Sequence, residues 1–377
     1  MIPKFNYSYN FKDLIYSCTH LRNLNISNLI NYFKCDNIFF TNYARSGLYI
    51  LLKSLSKNKV LKVGVQAFTC HTIFDSINRA GCELVFLDIN TSFSLDIENI
   101  KDKINEIDVL IVTHTFGIPS DMQNILKIAK GKIIIEDCAH ALFSKVNDNQ
   151  VGFLGDASLF SIGYGKYPSI GPGGIILINN RDMVSEFEDE YSKLKKPGLK
   201  EERINIVKNY IYSVAFSKYL YGFITYPLGK KLERKIDFIG KNSNTCHKGY
   251  ISNINIFNKN IYKYLLFNKL RCGVGLFLEN SLNDYFNINF RNFGTNNFYI
   301  FPLLHKRRDD IVEELFKEGF ESGKHFAKSI LWAKNFGYVM GTCPQTEQIV
   351  NQVFTIPTHH YLNAKSLKKL IKIIRKY

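Results

Sequence analysis

VLIVTHTFGIPSDMQNILKIAKGKIIIEDCAHA, residues 109–141, reads as strand, polar loop, helix and second strand. The apolar run at 109–113 empties into THTFG, the segment 122–131 carries a helical pattern closed by glycine, and KIIIED at 132–137 is again strand-like. The same alternation extends outward from about residue 45 to residue 180. RSGLYILLKSLS is a helix entered at Ser46-Gly47, KVGVQ a short strand, TIFDSINRAG a helix closed at Gly81, and ELVFLDI a strand. On the other side, SLFSIG and GGIILIN are strands flanking a loop that carries Lys166. Strands alternating with helices predict a layered α/β domain with a mixed, mostly parallel sheet.

Beyond residue 180 the character changes. Residues 185–245 are helical, basic and aromatic, centred on YIYSVAFSKYLYGFITYPLGKKLERK. Two readings stand: a helical excursion packed on the body or at a dimer interface, and peripheral contact with a membrane surface. Lys218 and Pro227 interrupt the segment and argue against its spanning a bilayer. From about 250 onward, helical stretches (260–282, 307–319 and 364–376) mix with the strands NFYIFPLLH and QVFTIP, the pattern of a smaller α+β domain. The boundary is set at 245/246, giving a large domain over 1–245 and a small one over 246–377.

With 377 residues and 46% hydrophobic content, the chain buries a large core. A formal charge of +16 favours anionic partners, but the basic residues are dispersed and nothing resembles a nucleic-acid motif. Phosphorylated small molecules or an anionic membrane surface suit the sign. Eight scattered cysteines without a CxxC pair, and an opening without a signal-peptide pattern, point to a reduced cytoplasmic setting. No His/Cys cluster has metal-ligand spacing, so no metal is expected.

Three elements carry chemistry. Asp137 ends an apolar strand, where open α/β sheets bind ligands, although an N-cap role for the following segment is an equal reading. Lys166 lies in the glycine-rich loop of GDASLFSIGYGKYPSIGPGGIILI (155–178), five residues after Ser161. That spacing lets the two serve the phosphate and the aldehyde of one cofactor. Ser46-Gly47 opens a helix whose free amides and positive end favour a phosphate. His114 ends a buried strand beside the expected pocket, as a hydrogen-bonded structural group or a substrate contact. His359-His360 lie near a possible substrate entrance, or are structural.

In this order the elements resemble the DegT/DnrJ/EryC1/StrS family of sugar aminotransferases. The resemblance runs through QAFTCHTIFDSINRAGCELVFLDI, THTFGIPSDM, IIEDCAHAL and VGFLGDASLFSIGYGKYPSIGPGGI, and more loosely through ESGKHF and FTIPTHHYL. It implies the fold-type-I PLP-transferase architecture (aspartate-aminotransferase-like), with pyridoxal 5'-phosphate as cofactor. It places Lys166 at the Schiff-base lysine and Asp137 at the acid facing the pyridine nitrogen. His140 falls beside the phenolate oxygen, Ser161, Ser46 and Gly47 at the phosphate, and His325 near the substrate.

The implied reaction converts a nucleotide-linked keto-sugar to an amino-sugar for surface polysaccharide or glycan biosynthesis, with an amino acid such as glutamate as donor and a homodimer as the working unit. Relatives that dehydrate sugars carry histidine in place of the lysine, so Lys166 favours amination. Another PLP-dependent reaction on a non-sugar-nucleotide acceptor, and a catalytically silent membrane-associated PLP-binding protein, are the alternatives. The chemistry itself requires Lys166 to lose its proton and Asp137 to stay ionised against a cationic ring. Cys70 stands where the family has an aromatic that stacks on the ring, which leaves stacking to His71 or Phe68. GYISNINIF, around Asn253, is the nearest match to the segment that sends an Asn and an Arg across the dimer interface.

Overall fold

The computed structural model describes residues 1–217, 220–227, 245–286, 290, 293–359 and 361–377. Strands β1 (Ile38–Thr41), β2 (Lys62–Gln66), β3 (Glu83–Leu87), β4 (Val109–Thr113) and β5 (Ile133–Asp137) come first. A small hairpin of β6 (Lys145–Val146) and β7 (Asn149–Gln150) precedes β8 (Ala157–Ser161) and β9 (Gly174–Ile178). Seven of these form one sheet in the order β1-β9-β8-β5-β4-β2-β3. β3, β2, β4, β5 and β8 pair in parallel, whereas β9 pairs antiparallel with both β8 and β1. The sheet is mixed and mostly parallel, as the strand pattern predicts.

Helices cover both faces, so the central strands are apolar along their whole length rather than alternating. Every residue of β4 and of β9 is buried. The helices are α1 (Phe11–Thr19), α2 (Ser27–Phe33), α3 (Ala44–Leu55), α4 (His71–Arg79), α5 (Ile97–Lys103) and α6 (Met122–Ile128). After the sheet come α7 (Val184–Ser192), α8 (Leu199–Ala215) and α9 (Ile251–Phe286). α3 starts two residues before Ser46, with Tyr43 as an extended N-cap. Its seat on the sheet requires two glycines. A Cβ on Gly47 would stand 2.3 Å from Ile176 Cγ1, and one on Gly174 would stand 2.3 Å from the Ala44 backbone nitrogen. Helix and strand therefore meet nearly backbone to backbone at the start of α3.

α9, at 36 residues, begins well before the expected helix at 260. Its first turns bury Asn253, Asn255, Asn258 and Asn260. These are not exposed loop polarity but fasteners. Asn255 donates to the carbonyls of His20 and Asn23 and accepts from the Asn25 amide, and Asn258 accepts from the Leu29 amide. They tie α1 and α2 to α9, and each satisfied buried amide contributes about 1 kcal/mol net. The remaining elements are β10 (Phe301–Leu304) paired antiparallel with β11 (Val353–Ile356), and α10 (Arg308–Lys317), α11 (Ser329–Lys334), α12 (Pro344–Ile349) and α13 (Ala364–Ile374). α13 buries Leu367, Leu370, Ile371 and Ile374 along one face, the helical spacing that holds it to this part of the chain.

In the aromatic, basic stretch, α7 and α8 are present and Tyr221–Thr225 forms a wide helical turn. α8 leaves Ile204, Val207, Ile211 and Val214 exposed on one side. Among the described residues no helix is long and apolar enough to cross a membrane. Lys218 and residues 228–244 of this stretch lie outside the described residues, as does His360.

Candidate active site

Strand direction brings the chemistry together. β4, β5 and β8 are parallel neighbours, so their carboxyl ends open on one edge, and the ends of these strands supply Thr113, Asp137 and Ser161 to a single cavity. Lys166 reaches it from the loop after β8, His140 from the turn after β5, and Cys70 from the N-cap of α4. Tyr43, Ala44 and Arg45, at the N-terminus of α3, line it as well.

Asp137 is buried, with Oδ1 accepting from the Ala139 amide at 3.1 Å. Burial raises its pKa, partly countered by that amide and by the charge of Lys166. Lys166 is shifted the opposite way: burial lowers its pKa, while Cys70 and Asp137 pull it back up. Its ammonium lies 5.8 Å from the centre of the Tyr299 ring. Thr113 Oγ1 is buried without a hydrogen-bond partner among the described residues.

His140 lies on Tyr299, ring centroids 4.6 Å apart at 24°. Its Nδ1 accepts from the Phe116 amide at 3.2 Å, which assigns the ring proton to Nε2. Burial, with Lys166 and His325 nearby, holds its pKa well below the ordinary histidine value, so the ring is neutral. His325 packs edge-on against His140 at 5.4 Å and against Phe326, which itself lines the cavity. Burial and the charges of Lys4 and Lys166 keep His325 neutral too.

Several expected residues lie elsewhere. Gly47 is occupied by packing against Ile176, and the amides of Ser46 and Gly47 both donate to the Tyr43 carbonyl. The helix end that faces the cavity is Tyr43-Ala44-Arg45, directly before the serine-glycine pair. His114 does not reach the cavity. It is fully buried, with Nε2 3.0 Å from Glu136 Oε2 and Nδ1 accepting from the Ser120 amide, so both ring nitrogens are spent and the substrate-contact reading gives way to the structural one. Phe68 is fully buried among Phe93, Phe116 and Phe326, and His71 packs on Trp332 at 5.2 Å, so neither offers a ring to the cavity. Asn253 faces its own chain, donating to the Pro172 carbonyl and accepting from Asn205 and Asn209, and is not free to cross an interface. His359 is buried with Nε2 2.8 Å from the Pro3 carbonyl.

His114, Glu136 and Cys138 bring their ligand atoms within 4.8 Å of one another, a proximity that spacing did not suggest. Glu136 is already saturated: Oε1 accepts from the Leu154 and Gly155 amides, and Oε2 from the Gly152 amide and His114. Cys138, pushed well above the ordinary thiol pKa by burial and by its two acidic neighbours, stays protonated. The cluster is a hydrogen-bond network that anchors β5.

Tyr43, Arg45, Thr113, Tyr299 and Phe326 were not singled out from the sequence. Arg45, a cation directly before Ser46-Gly47 at a helix start, carries a usable signal. Tyr299 sits inside a strand-like run and carries none.

The donor set fits pyridoxal phosphate. A buried acid stabilised by a cation, an amine with depressed pKa, a neutral N–H donor on His140 and a helix N-terminus with the Ser161 hydroxyl match a ring nitrogen, an aldehyde, a phenolate oxygen and a phosphate. Known proteins are similar to this chain. The GDP-perosamine synthase of Escherichia coli O157:H7 is 29% identical over 199 residues, 52% of each chain, so the chain matches about half the length of that curated relative. The sugar aminotransferase CalS13 from Micromonospora echinospora shares the fold over 100% of both chains, with a TM-score of 0.77 and 14% identity. The E. coli GDP-4-keto-6-deoxy-D-mannose-3-dehydratase, solved with bound hydrated PLP, does so over 99% of both chains, with a TM-score of 0.75 and 15% identity. The model of the DegT/DnrJ/EryC1/StrS aminotransferase family matches residues 27–220, a little over half of the sequence, and the chain belongs to that family.

Proposed function

We propose that this chain is a pyridoxal-phosphate-dependent aminotransferase that converts a nucleotide-linked keto-sugar to an amino-sugar, in surface polysaccharide or glycan biosynthesis, with an amino acid such as glutamate as donor. The observation that carries the reading is Lys166 and Asp137 in one cavity, each shifting the other toward its charged form. The names of the relatives support the substrate class, since GDP-perosamine synthase and a dTDP-aminosugar transaminase are among the similar proteins.

When bound, pyridoxal phosphate supplies an electron sink for charge developing on the substrate carbon. The residues supply the rest. Asp137, costly to bury as a carboxylate, is relieved by a cation placed against it and holds that cation protonated. Burial lowers the Lys166 pKa, which favours the free amine that takes a proton from one carbon and delivers it to another. His140 presents an Nε2–H donor fixed by the Phe116 amide. The N-terminus of α3 and Ser161 favour a phosphate. The +16 balance suits the diphosphate of a nucleotide sugar. Lys166, in place of the histidine of dehydrating relatives, supports amination over dehydration.

The finer readings are proposals of the same kind: a large domain over 1–245 and a small one over 246–377, a homodimer, a cytoplasmic setting, and α8 as the part of 185–245 that meets a partner copy or a membrane surface. The exposed apolar side of α8 supports the last of these. The test is the half-reaction. The PLP-loaded protein mixed with glutamate is expected to lose its visible absorbance as the cofactor passes to its amine form, and a keto-sugar nucleotide is expected to restore it. Absorbance unchanged by every amino donor overturns the reading.

A further inference from the structure

Cys70 departs from the family's aromatic, and its surroundings are unlike those of an ordinary packed thiol. It is the N-cap of the nine-residue helix α4, at the positive end of the helix dipole. The Thr72 hydroxyl donates to its Sγ at 3.2 Å, and His71 Nδ1 lies 3.9 Å away. Both groups are able to donate to the sulfur. On its open side Cys70 lines the cavity shared by Lys166 and Asp137.

We propose that Cys70 and His71 form a thiolate–imidazolium pair that places negative charge beside Lys166 and so raises the pH at which that lysine becomes a free amine. Cys70 is then a positioning residue for the reaction, acting through Lys166. Burial opposes ionisation of the thiol, but hydrogen bonding and charge from His71, with Thr72, outweigh it and bring the pKa to about 7. His71 is raised, first by its bond to Cys70, against a smaller burial cost.

The charged groups that act on the pair lie on α3, on α4 and across the cavity. On α3, Arg45 disfavours the imidazolium, and on α4, Asp75 favours it. Lys166 and, at the end of β5, Asp137 complete the cavity side, where His140 is neutral. α11 presents the Trp332 ring to His71, while Lys328 at its N-cap and Lys334 at its end are exposed. Proton accounting is simple: one proton leaves Sγ and resides on the imidazole, with no oxidant or further reactant needed.

The role for Lys166 rests on the proposed function, whereas the pair itself is measurable whether or not the protein transaminates. Trp332 is the chain's only tryptophan, and a neighbouring imidazolium quenches indole fluorescence, so it reports His71 directly. In the full-length protein, fluorescence titrated from pH 5 to 9 is expected to show a midpoint that falls in Cys70→Ser and returns in Cys70→Asp, which restores charge without sulfur. Site-resolved alkylation by iodoacetamide is expected to give Cys70 a midpoint at about pH 7, which rises in His71→Gln.

For Lys166, the pH midpoint of borohydride-trapped pyridoxal phosphate is expected to drop in Cys70→Ser and recover in Cys70→Asp. An indole midpoint unmoved by Cys70→Ser overturns the pair. An intact pair with an unmoved Lys166 midpoint overturns the positioning role. Failure of Lys166 to take up pyridoxal phosphate in the wild-type protein strikes instead at the proposed function.

Discussion

Glu136 and Asp137 are consecutive at the end of β5 and, by the alternation of a strand, face opposite sides of the sheet. Glu136 enters a closed network with His114 and the amides of Gly152, Leu154 and Gly155, whereas Asp137 enters the cavity with Lys166. The first carboxylate is held by donors within the fold and is lowered in pKa. The second is raised in pKa by burial, against the opposing pull of the Ala139 amide and of Lys166. One is structural and the other chemical, and the following predictions separate them.

Glu136→Gln is expected to destabilise the protein by about 2–4 kcal/mol, because buried donors lose a charged acceptor. Burial opposes the charge on Glu136, but His114 and the amides outweigh it, so its folded pKa lies below its unfolded value. Its stabilisation is therefore present above the unfolded pKa and lost as pH falls through the folded one. Urea denaturation at pH 7 and pH 4 checks this: the gap between wild type and variant is expected to narrow at the lower pH, and a constant gap contradicts it.

Asp137→Asn is expected to behave in the reverse sense. A raised folded pKa means that the native carboxyl holds its proton more tightly than the unfolded one, so the ionised acid costs stability as pH rises. The cofactor-free variant is expected to melt at or above the wild-type temperature at pH 8. Turnover is expected to fall by about 100-fold or more, with some pyridoxal phosphate binding retained. Thermal scans with and without cofactor, together with turnover, decide it.

Gly47→Ala and Gly174→Ala test the seat of α3. The new methyl at Gly47 meets Ile176, a side chain that can be shortened. Gly47→Ala is expected to cost about 1–3 kcal/mol, and to cost less when introduced into an Ile176→Ala background. At Gly174 the obstacle is the backbone of Tyr43 and Ala44, so no side-chain substitution restores it. Denaturation of the single and double variants provides the comparison.

The parts of the fold that were legible are those where the physics is local. Val109–Thr113, Ile133–Asp137 and Gly174–Ile178 are buried on both faces and read as unbroken apolar runs. α1, α2 and the first turns of α9 were not legible, because a buried asparagine looks like loop polarity until its partner, some 230 positions away, is known. Within the site, Asp137, His140, Ser161, Lys166 and Cys70 were marked by strand ends, the glycine loop and family likeness, and the fold gathers them in one cavity. Tyr299 was hidden because a tyrosine in an apolar run is ordinary core, and only tertiary packing sets it under His140. His114 lay at a strand end like Asp137, yet Glu136 and Ser120 claim both its nitrogens.

Lys166→Ala is expected to reduce turnover by about 1000-fold or more while leaving the melting temperature of the cofactor-free protein within a few degrees of wild type, since the amine is costly to bury. Steady-state kinetics and a thermal scan of the same preparation check both halves.

The most direct test is to reduce the pyridoxal-phosphate-loaded protein with borohydride and map the modified peptide by mass spectrometry. A phosphopyridoxyl group on Lys166, absent from Lys166→Ala, is the predicted result. A group on another lysine, or no stable label on a protein that nevertheless transaminates, would contradict the assignment of Lys166.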